Sequence, residues 1–188
     1  MLEKVIALDK ELLVFLNGLG APEYDSLWLF ITKQLNWISL FLLVFYLLYK
    51  KLDTKSLVTA LVFIAVLIVV CDQTANLFKN TFQRLRPCND PEINGIIRVV
   101  KSSSSFSYFS GHAVNSMATA VFVFMIMKRY YKYAFLVFSF PLIFAYSRIY
   151  LGLHFPLDIL TGYIFGSIFG FLFYKGYNYF IINKLQLK

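Results

Sequence analysis

Apolar and polar segments alternate along the whole chain, and the apolar segments are long. A membrane-spanning helix needs about 20 mostly apolar residues. Five segments reach or approach that length, namely 35–49, 56–78, 111–127, 133–150 and 156–174. The pattern therefore predicts an all-α integral membrane bundle of about five transmembrane helices.

The residues before the first of these segments are predicted to lie outside the membrane core. Extending that segment back to Ser26 would bury Lys33, at a cost of about 2.5–3.5 kcal/mol if the charge lay at the bilayer centre. Before it, apolar residues recur at near-helical spacing with charged residues between them. Residues 1–34 are therefore expected to form an interfacial segment with an amphipathic surface helix. Glu3 and Asp9 interrupt the early apolar residues, so a cleaved signal peptide is not expected.

Composition supports a membrane protein. Hydrophobic residues make up 59% of the 188 residues, and the mean hydropathy is +0.66. Both values exceed what a soluble domain needs to fill its core.

The basic residues are expected to set the orientation of the bundle. By the positive-inside rule, short loops and tails rich in Lys and Arg face the cytoplasm. Three such segments follow the first, third and fifth apolar segments: Lys50, Lys51 and Lys55; Lys128, Arg129 and Lys132; and Lys175, Lys184 and Lys188. The connections 79–110 and 151–155 then face the other side. They are also basic, and those charges need another explanation.

The chain is expected to form one domain, 1–188, because no linker divides it. The connection 79–110 is its only long one, and long ordered connections inside compact domains are usually functional. Its proline, asparagine and glycine residues interrupt any helix that it forms. We expect a short helix or two there, lying over the extracytoplasmic surface.

Three glycines share one face of the last apolar segment. Gly162, Gly166 and Gly170 are spaced by four residues, which lets another helix approach closely. Packing inside the monomer is the preferred interpretation, and a homodimer seam is the alternative.

Three polar clusters fall on the extracytoplasmic side of the predicted topology, at 79–87, 109–112 and 147–158. Singly, each has an ordinary explanation, since cationic side chains snorkel at helix ends and Ser-Gly often begins a helix. Together, the clusters bring both histidines of the chain, three cations and a carboxylate to one face.

This set of side chains suits a phosphoryl group. Lys79 supplies a point charge, and Arg86 and Arg148 supply planar forks that match phosphate oxygens. Ser110 and the backbone N–H of Gly111 begin an apolar segment, where a helix N-terminus favours an anion.

Binding alone would not require two histidines. A neutral imidazole can attack phosphorus, and a carboxylate on its other nitrogen fixes the tautomer. Pro156 fits the first turn of the last helix, which places His154 just ahead of that helix and Asp158 one turn inside it. We therefore predict His154 as nucleophile, Asp158 as its orienting partner, and His112 as the acid that protonates the leaving oxygen.

These motifs resemble the three-part signature of the type 2 phosphatidic acid phosphatase family, which is shared with vanadium haloperoxidases. The matching positions are Lys79, Arg86 and Pro87, then Ser110, Gly111 and His112, then Ser147, Arg148, His154 and Asp158. The resemblance spans 79–158. One departure is Phe109, where the family usually has Pro, and this difference is expected to loosen the loop that enters the third span. Another is that larger relatives have six spans.

The resemblance implies a helical bundle and a phosphohistidine on His154. It implies that His112 acts first as acid and later as base for the hydrolytic water. It also implies no metal ion or other cofactor. The implied phosphate contacts are Lys79, Arg86, Ser110, Gly111 and Arg148.

Asp72 lies within the second apolar segment, about two turns from Lys79. An acidic residue at that depth is a functional candidate. A structural ion-pair or hydrogen-bond partner is the preferred interpretation. The acids near this surface are too scattered along the chain to suggest a clustered metal site.

The predicted function is hydrolysis of a terminal phosphate from a lipid, at the extracytoplasmic face of a bacterial inner membrane. Undecaprenyl diphosphate is the first choice, and phosphatidylglycerol phosphate, phosphatidic acid and lipid A 1-phosphate stay open. A lipid phosphotransferase and a non-enzymatic binder of anionic lipids are the alternatives. Membrane lipids are the expected partners, and no nucleic-acid partner is expected.

Overall fold

The computed structural model describes residues 2–182, and this part of the chain is helical with no strand. The predictions for Lys184 and Lys188 concern residues outside this range. The seven α-helices are α1 (Leu2–Gly18), α2 (Asp25–Ile31), α3 (Ile38–Tyr49), α4 (Thr54–Phe82), α5 (Gly111–Met127), α6 (Ser139–Tyr150) and α7 (Pro156–Phe180). Short 3-10 helices lie at Pro22–Tyr24, Gln34–Trp37, Pro87–Asn89 and Ala134–Phe138.

The predicted all-helical membrane architecture is confirmed, and the five apolar segments coincide with helices. By length and composition, α4 and α7 can each cross a bilayer. A third crossing is possible if Pro22–Ile31 and Gln34–Tyr49, which meet at a 74° bend, count as one span. Helix α5 and the segment Ala134–Tyr150 are apolar but shorter.

Local signals explain where the principal helices begin. The Asp53 side chain accepts a hydrogen bond from the Ser56 N–H at 3.1 Å and caps α4. The Ser110 hydroxyl accepts one from the Ala113 N–H at 3.3 Å and caps α5. Pro156 occupies the first turn of α7, where its missing N–H does no harm.

Helices α5 and α7 form the central pair of the bundle, and the glycine face joins them. A Cβ at Gly162 would lie 2.8 Å from the Cβ of Ala113, and a Cβ at Gly166 would lie 2.7 Å from the Val114 carbonyl oxygen. Gly170 meets α5 one turn further along. The three glycines therefore permit close packing within the monomer, which was the preferred interpretation.

Helix α1 is tied to the end of α6 by a buried amide. The Asn17 side chain donates to the carbonyl oxygens of Ile149 and Tyr150 at 3.1 and 2.9 Å. It also accepts from the Arg98 N–H at 2.7 Å. The predicted N-terminal helix is thus packed onto the bundle, while Leu8 and Phe15 on its other side are exposed.

The connection between α4 and α5 is less regular than predicted. Helix α4 continues to Phe82 and ends at Gln83, which has a left-handed backbone with φ of 45°. Beyond it, the expected helix or two is reduced to the 3-10 turn Pro87–Asn89. Side-chain contacts hold the rest, since Lys10 of α1 pairs with Asp90 at 2.8 Å.

Candidate active site

The three polar clusters meet at one end of the bundle, where α4 and α6 end and α5 and α7 begin. The opposite end carries two of the basic segments: Lys51 and Arg129 line a small cavity there together with Asn178 of α7. The antiparallel order of the helices therefore separates the motif residues from those basic loops.

His154 lies in the loop between α6 and α7 and is almost completely buried, with 1% of its surface exposed. Its Nδ1 lies 3.3 Å from Oδ2 of Asp158. Its Nε2 lies 3.0 Å from Nη1 of Arg86. Because a guanidinium can only donate, this contact is favourable when Nε2 carries the lone pair and Nδ1 carries the proton.

Burial lowers the pKa of His154 well below its usual value, and the nearby charges of Arg86 and Arg148 lower it further. The imidazole is therefore neutral near pH 7. Nε2 of the neutral ring keeps its lone pair, which a nucleophile requires. The guanidinium of Arg86 beside it provides a positive charge for an anionic group.

The carboxylate of Asp158 is fully buried and held from several sides. It accepts from the N–H of Phe155 at 2.9 Å and from Nη1 of Arg84 at 2.9 Å. The hydroxyl of Ser107 donates to the same oxygen that faces His154. These partners leave the carboxylate little freedom, so it can fix the orientation of the imidazole.

Arg86 is anchored by oxygen atoms of the surrounding loops. Its Nη1 donates to the Leu153 carbonyl at 2.9 Å, and its Nε donates to the Ser105 carbonyl at 2.8 Å. Burial lowers the pKa of Arg86, but a guanidinium stays protonated in proteins. The fork is therefore a fixed positive charge beside Nε2 of His154.

Arg148 is also buried, and its hydrogen bonds are incomplete. Its Nη1 donates to the hydroxyl of Thr32 at 2.6 Å, whereas its Nε has no partner among residues 2–182. An unpaired buried donor is unfavourable, so this N–H is available to an oxygen of a bound anion.

Lys79 and Gly111 lie side by side, since Nζ of Lys79 would be 3.7 Å from a Cβ at Gly111. Ser110 is fully buried, and its N–H donates to the Asp158 carbonyl at 3.1 Å. The predicted phosphate-contacting residues are thus brought to one region. Ser147 is not free for the same task, because its hydroxyl donates to the Phe144 carbonyl at 2.6 Å.

His112 lies at the first turn of α5, directly after Gly111. Its ring stacks on Phe144, with centroids 5.0 Å apart. Neither ring nitrogen forms a hydrogen bond with any other described residue, and His112 lines a cavity together with Lys79 and Gly111. The ring is therefore positioned to exchange a proton with a molecule in that cavity.

The cavity has a volume of about 610 Å³ and runs from His112 into the apolar part of the bundle. Helices α3 to α6 line it, mainly with aliphatic and phenylalanine side chains such as Phe41, Val44, Ile64 and Phe140. One end therefore suits an anion, and the remainder suits hydrocarbon.

Phe109 does not loosen the loop as expected. Its side chain is fully buried and stacks on Phe165, with centroids 5.1 Å apart. It also lies 5.0 Å from the ring of Phe78. The aromatic ring therefore anchors the entry to α5 from the side of α4 and α7.

Sequence reasoning missed a buried ion-pair chain that reaches the site from α1. Nη2 of Arg84 lies 2.6 Å from Asp9, while Nη1 of the same side chain contacts Asp158. Asp9 also accepts from the Leu157 N–H at 2.8 Å. Burial raises the pKa of Asp9, and its contacts with Arg84 oppose that change. One signal was present in the sequence, because Asp9 falls on the otherwise apolar stripe of α1.

No cluster of three or more His, Cys, Asp or Glu side chains that could hold a metal ion occurs within residues 2–182.

The fold and site define a membrane helical protein in which a buried histidine-carboxylate pair faces a group of cations. Residues 57–182 match the PAP2 superfamily, and the chain belongs to this superfamily. The family and the enzyme class predicted from the motifs, a phosphatase and hence a hydrolase, are confirmed.

The chain is similar to known proteins over most of its length. It is 33% identical to a lipid A 4'-phosphatase from Bacteroides thetaiotaomicron, across 100% of this chain and 83% of that protein. It is 27% identical to an undecaprenyl-diphosphatase from Sulfolobus acidocaldarius, across 90% and 79%. The crystal structure of a transmembrane PAP2 type phosphatidylglycerolphosphate phosphatase from Bacillus subtilis has the same fold, with a TM-score of 0.70, 18% identity, and coverage of 97% and 90%.

Proposed function

We propose that this protein is a lipid phosphatase that removes a terminal phosphate through a phosphohistidine on His154. The observation that carries the proposal is the cavity, because it joins His112 and Lys79 to a long apolar lining. A molecule that fills both parts has a phosphate at one end and hydrocarbon at the other.

In the first chemical step, Nε2 of His154 attacks phosphorus with its lone pair. The bond from phosphorus to the lipid oxygen breaks as the N–P bond forms, and a protonated His112 gives its proton to the leaving oxygen. Asp158 accepts the hydrogen bond from Nδ1 and stabilises the positive charge on the substituted ring.

In the second step, neutral His112 takes a proton from water while the water oxygen attacks phosphorus. The N–P bond breaks, inorganic phosphate leaves, and His154 regains its lone pair. Lys79, Arg86 and Arg148 balance the charge on the phosphoryl oxygens through both steps, and Ser110 and the Gly111 N–H complete the set.

We propose that all five apolar helical segments cross the membrane, that the chain forms one domain, 1–188, and that segment 1–34 is interfacial. The active site then lies at the extracytoplasmic face of a bacterial inner membrane, with 79–110 as its covering loop. The basic loops at the other end of the bundle support this orientation.

Undecaprenyl diphosphate is the first choice of lipid, although the sequence does not decide among the candidates. One relative is named an undecaprenyl-diphosphatase and another a lipid A 4'-phosphatase. Both lipids present a phosphate at a polar end attached to long chains, so both belong in the first test.

The test uses the purified full chain with a panel of lipid phosphates, with and without a chelator. We expect release of inorganic phosphate that survives chelation and needs no lipid acceptor. Strict dependence on Mg²⁺ would contradict the histidine route. Phosphate transfer only in the presence of a lipid acceptor would identify a phosphotransferase, and binding without turnover would identify a lipid binder.

The buried chain from Asp9 to Asp158 leads to a separate prediction. In an Asp9→Asn variant, Arg84 loses one of its two carboxylate partners and no longer holds Asp158 in the same position. Because a hydrogen bond between charged groups contributes about 1.5–3 kcal/mol, kcat should fall by roughly tenfold to a hundredfold. KM should change little, since Asp9 lies behind the cations that face the substrate.

Steady-state kinetics with Asp9→Glu and Glu11→Gln provide the comparison. Glu11 is exposed on the same helix, so Glu11→Gln should behave as wild type, and Asp9→Glu should recover part of kcat. A rise in KM at constant kcat would show that Asp9 does not act through Asp158.

A further inference from the structure

Two polar side chains, exposed Asp72 and half-buried Asn115, meet at the wall of the apolar cavity. Asp72 of α4 and Asn115 of α5 both line it, and Nδ2 of Asn115 donates to Oδ1 of Asp72 at 2.6 Å. The hydrogen-bond partner expected for Asp72 is therefore Asn115. No ion pair joins Asp72 to any residue in the described part of the chain.

This pair lies below the phosphate site. Asp72 precedes Lys79 by seven residues on one helix, which is about 10 Å at 1.5 Å per residue. Asn115 follows His112 by three residues, almost one turn deeper. A lipid whose phosphate meets Lys79 and His112 would thus place the junction of its head group and chains beside the pair.

The pair has hydrogen-bond acceptors that no donor among the described residues satisfies. Oδ1 of Asn115 is buried and has no partner among the described residues. Asn115 is also the one donor that contacts the Asp72 carboxylate within residues 2–182. A buried acceptor without a donor, such as Oδ1 of Asn115, is unfavourable. Asp72 is exposed, but its carboxylate lines an otherwise apolar cavity and has one donor for its two oxygens. A molecule that fills the cavity can supply a donor to both side chains.

The chemistry of the candidate lipids differs at this point. A polyprenyl chain carries no hydrogen-bond donor below its phosphates. A diacylglycerol phosphate has ester carbonyls at the junction, and these only accept. An acylated amino sugar has amide N–H groups and hydroxyl groups there, and both donate.

We propose that Asp72 and Asn115 form a specificity subsite for amide or hydroxyl donors at the junction of head group and acyl chains. The substrate class is then a phosphorylated, N-acylated amino-sugar lipid. This inference rests on the proposed function and narrows the choice of lipid that it leaves open.

The experiment measures kcat/KM for lipid A and for undecaprenyl diphosphate in the same detergent, with the purified full chain. Loss of a hydrogen bond to a charged group predicts a roughly tenfold to hundredfold decrease on lipid A for Asp72→Leu. Asp72→Asn, which keeps the shape, should show a smaller decrease. Asn115→Leu should resemble Asp72→Leu, and turnover of undecaprenyl diphosphate should stay the same or rise.

Gln73→Leu is the matched control. Gln73 is exposed on α4 next to Asp72 and does not line the cavity. The same exchange of a polar for an apolar side chain at nearly the same depth should leave the ratio of the two activities unchanged. Thermal unfolding of each variant checks that the bundle is intact.

Equilibrium binding of both lipids, measured on the same variants, separates the subsite from the catalytic proposal. If wild-type protein hydrolyses neither lipid, the proposed function fails, and weaker binding of lipid A alone by Asp72→Leu still supports the subsite. Equal changes for the two lipids, in binding or in turnover, overturn the subsite even where phosphate release is normal.

Discussion

A His154→Ala variant should release no measurable phosphate, with kcat reduced by about 10⁴-fold or more. The reason is that the proposed route has no N–P bond without Nε2 of this ring. Water would have to attack the lipid phosphate directly, without the nucleophile that divides the reaction into two steps. Phosphate release from a purified lipid phosphate measures the loss.

The same variant also tests the intermediate. Wild-type protein quenched during turnover of a radiolabelled lipid phosphate should carry acid-labile label, and His154→Ala should carry none. Since His154 is buried against Arg86 and Asp158, thermal unfolding must show that the variant is folded. A folded variant that keeps full turnover would exclude the phosphohistidine intermediate, and the site would then have a different role.

A His112→Asn variant should lose about 10² to 10⁴ in the rate of phosphoenzyme formation, which is the range for a positioned proton donor. The loss should depend on the leaving group. An alkoxide needs the proton as it departs, whereas a nitrophenolate or a phosphate leaves without it. Rapid-quench kinetics with a lipid monophosphate and with p-nitrophenyl phosphate measure the two cases.

The rate of phosphoenzyme formation has to be followed because His112 is also proposed to act in the second step. Hydrolysis of the phosphohistidine should slow for both substrates, since both form the same intermediate. If the first step slows equally for the good and the poor leaving group, then His112 is not the acid, and its effect comes from binding or from its contact with Phe144.

Much of the helical fold was predictable from the sequence because apolar length and helix boundaries are local properties. The predicted segments 56–78 and 156–174 fall inside α4 and α7, and Asp53, Ser110 and Pro156 mark helix starts by chemistry that acts over a few residues. The connection 83–110 was predicted less well. Its conformation depends on distant partners such as Lys10 and Asn17, which no local pattern reveals.

The candidate site was also predictable only in part. Local motifs identified five of its residues, because side-chain chemistry and spacing can be read within each motif: Lys79, Arg86, His112, His154 and Asp158. The groups that hold them were missed: Ser107 and Arg84 on Asp158, Asp9 on Arg84, Thr32 on Arg148, and Ser105 on Arg86.

The sequence by itself determined that the protein is a membrane helical bundle and which side chains can handle a phosphate, because hydrophobic length and functional-group chemistry belong to short stretches of chain. Only the tertiary structure decided which nitrogen of His154 faces Arg86 and which faces Asp158. It also decided that α1 contributes Asp9 to the site and that Asp72 meets Asn115 at the wall of the cavity. Those facts depend on distances between residues far apart in the chain, and such distances are set by packing of whole helices.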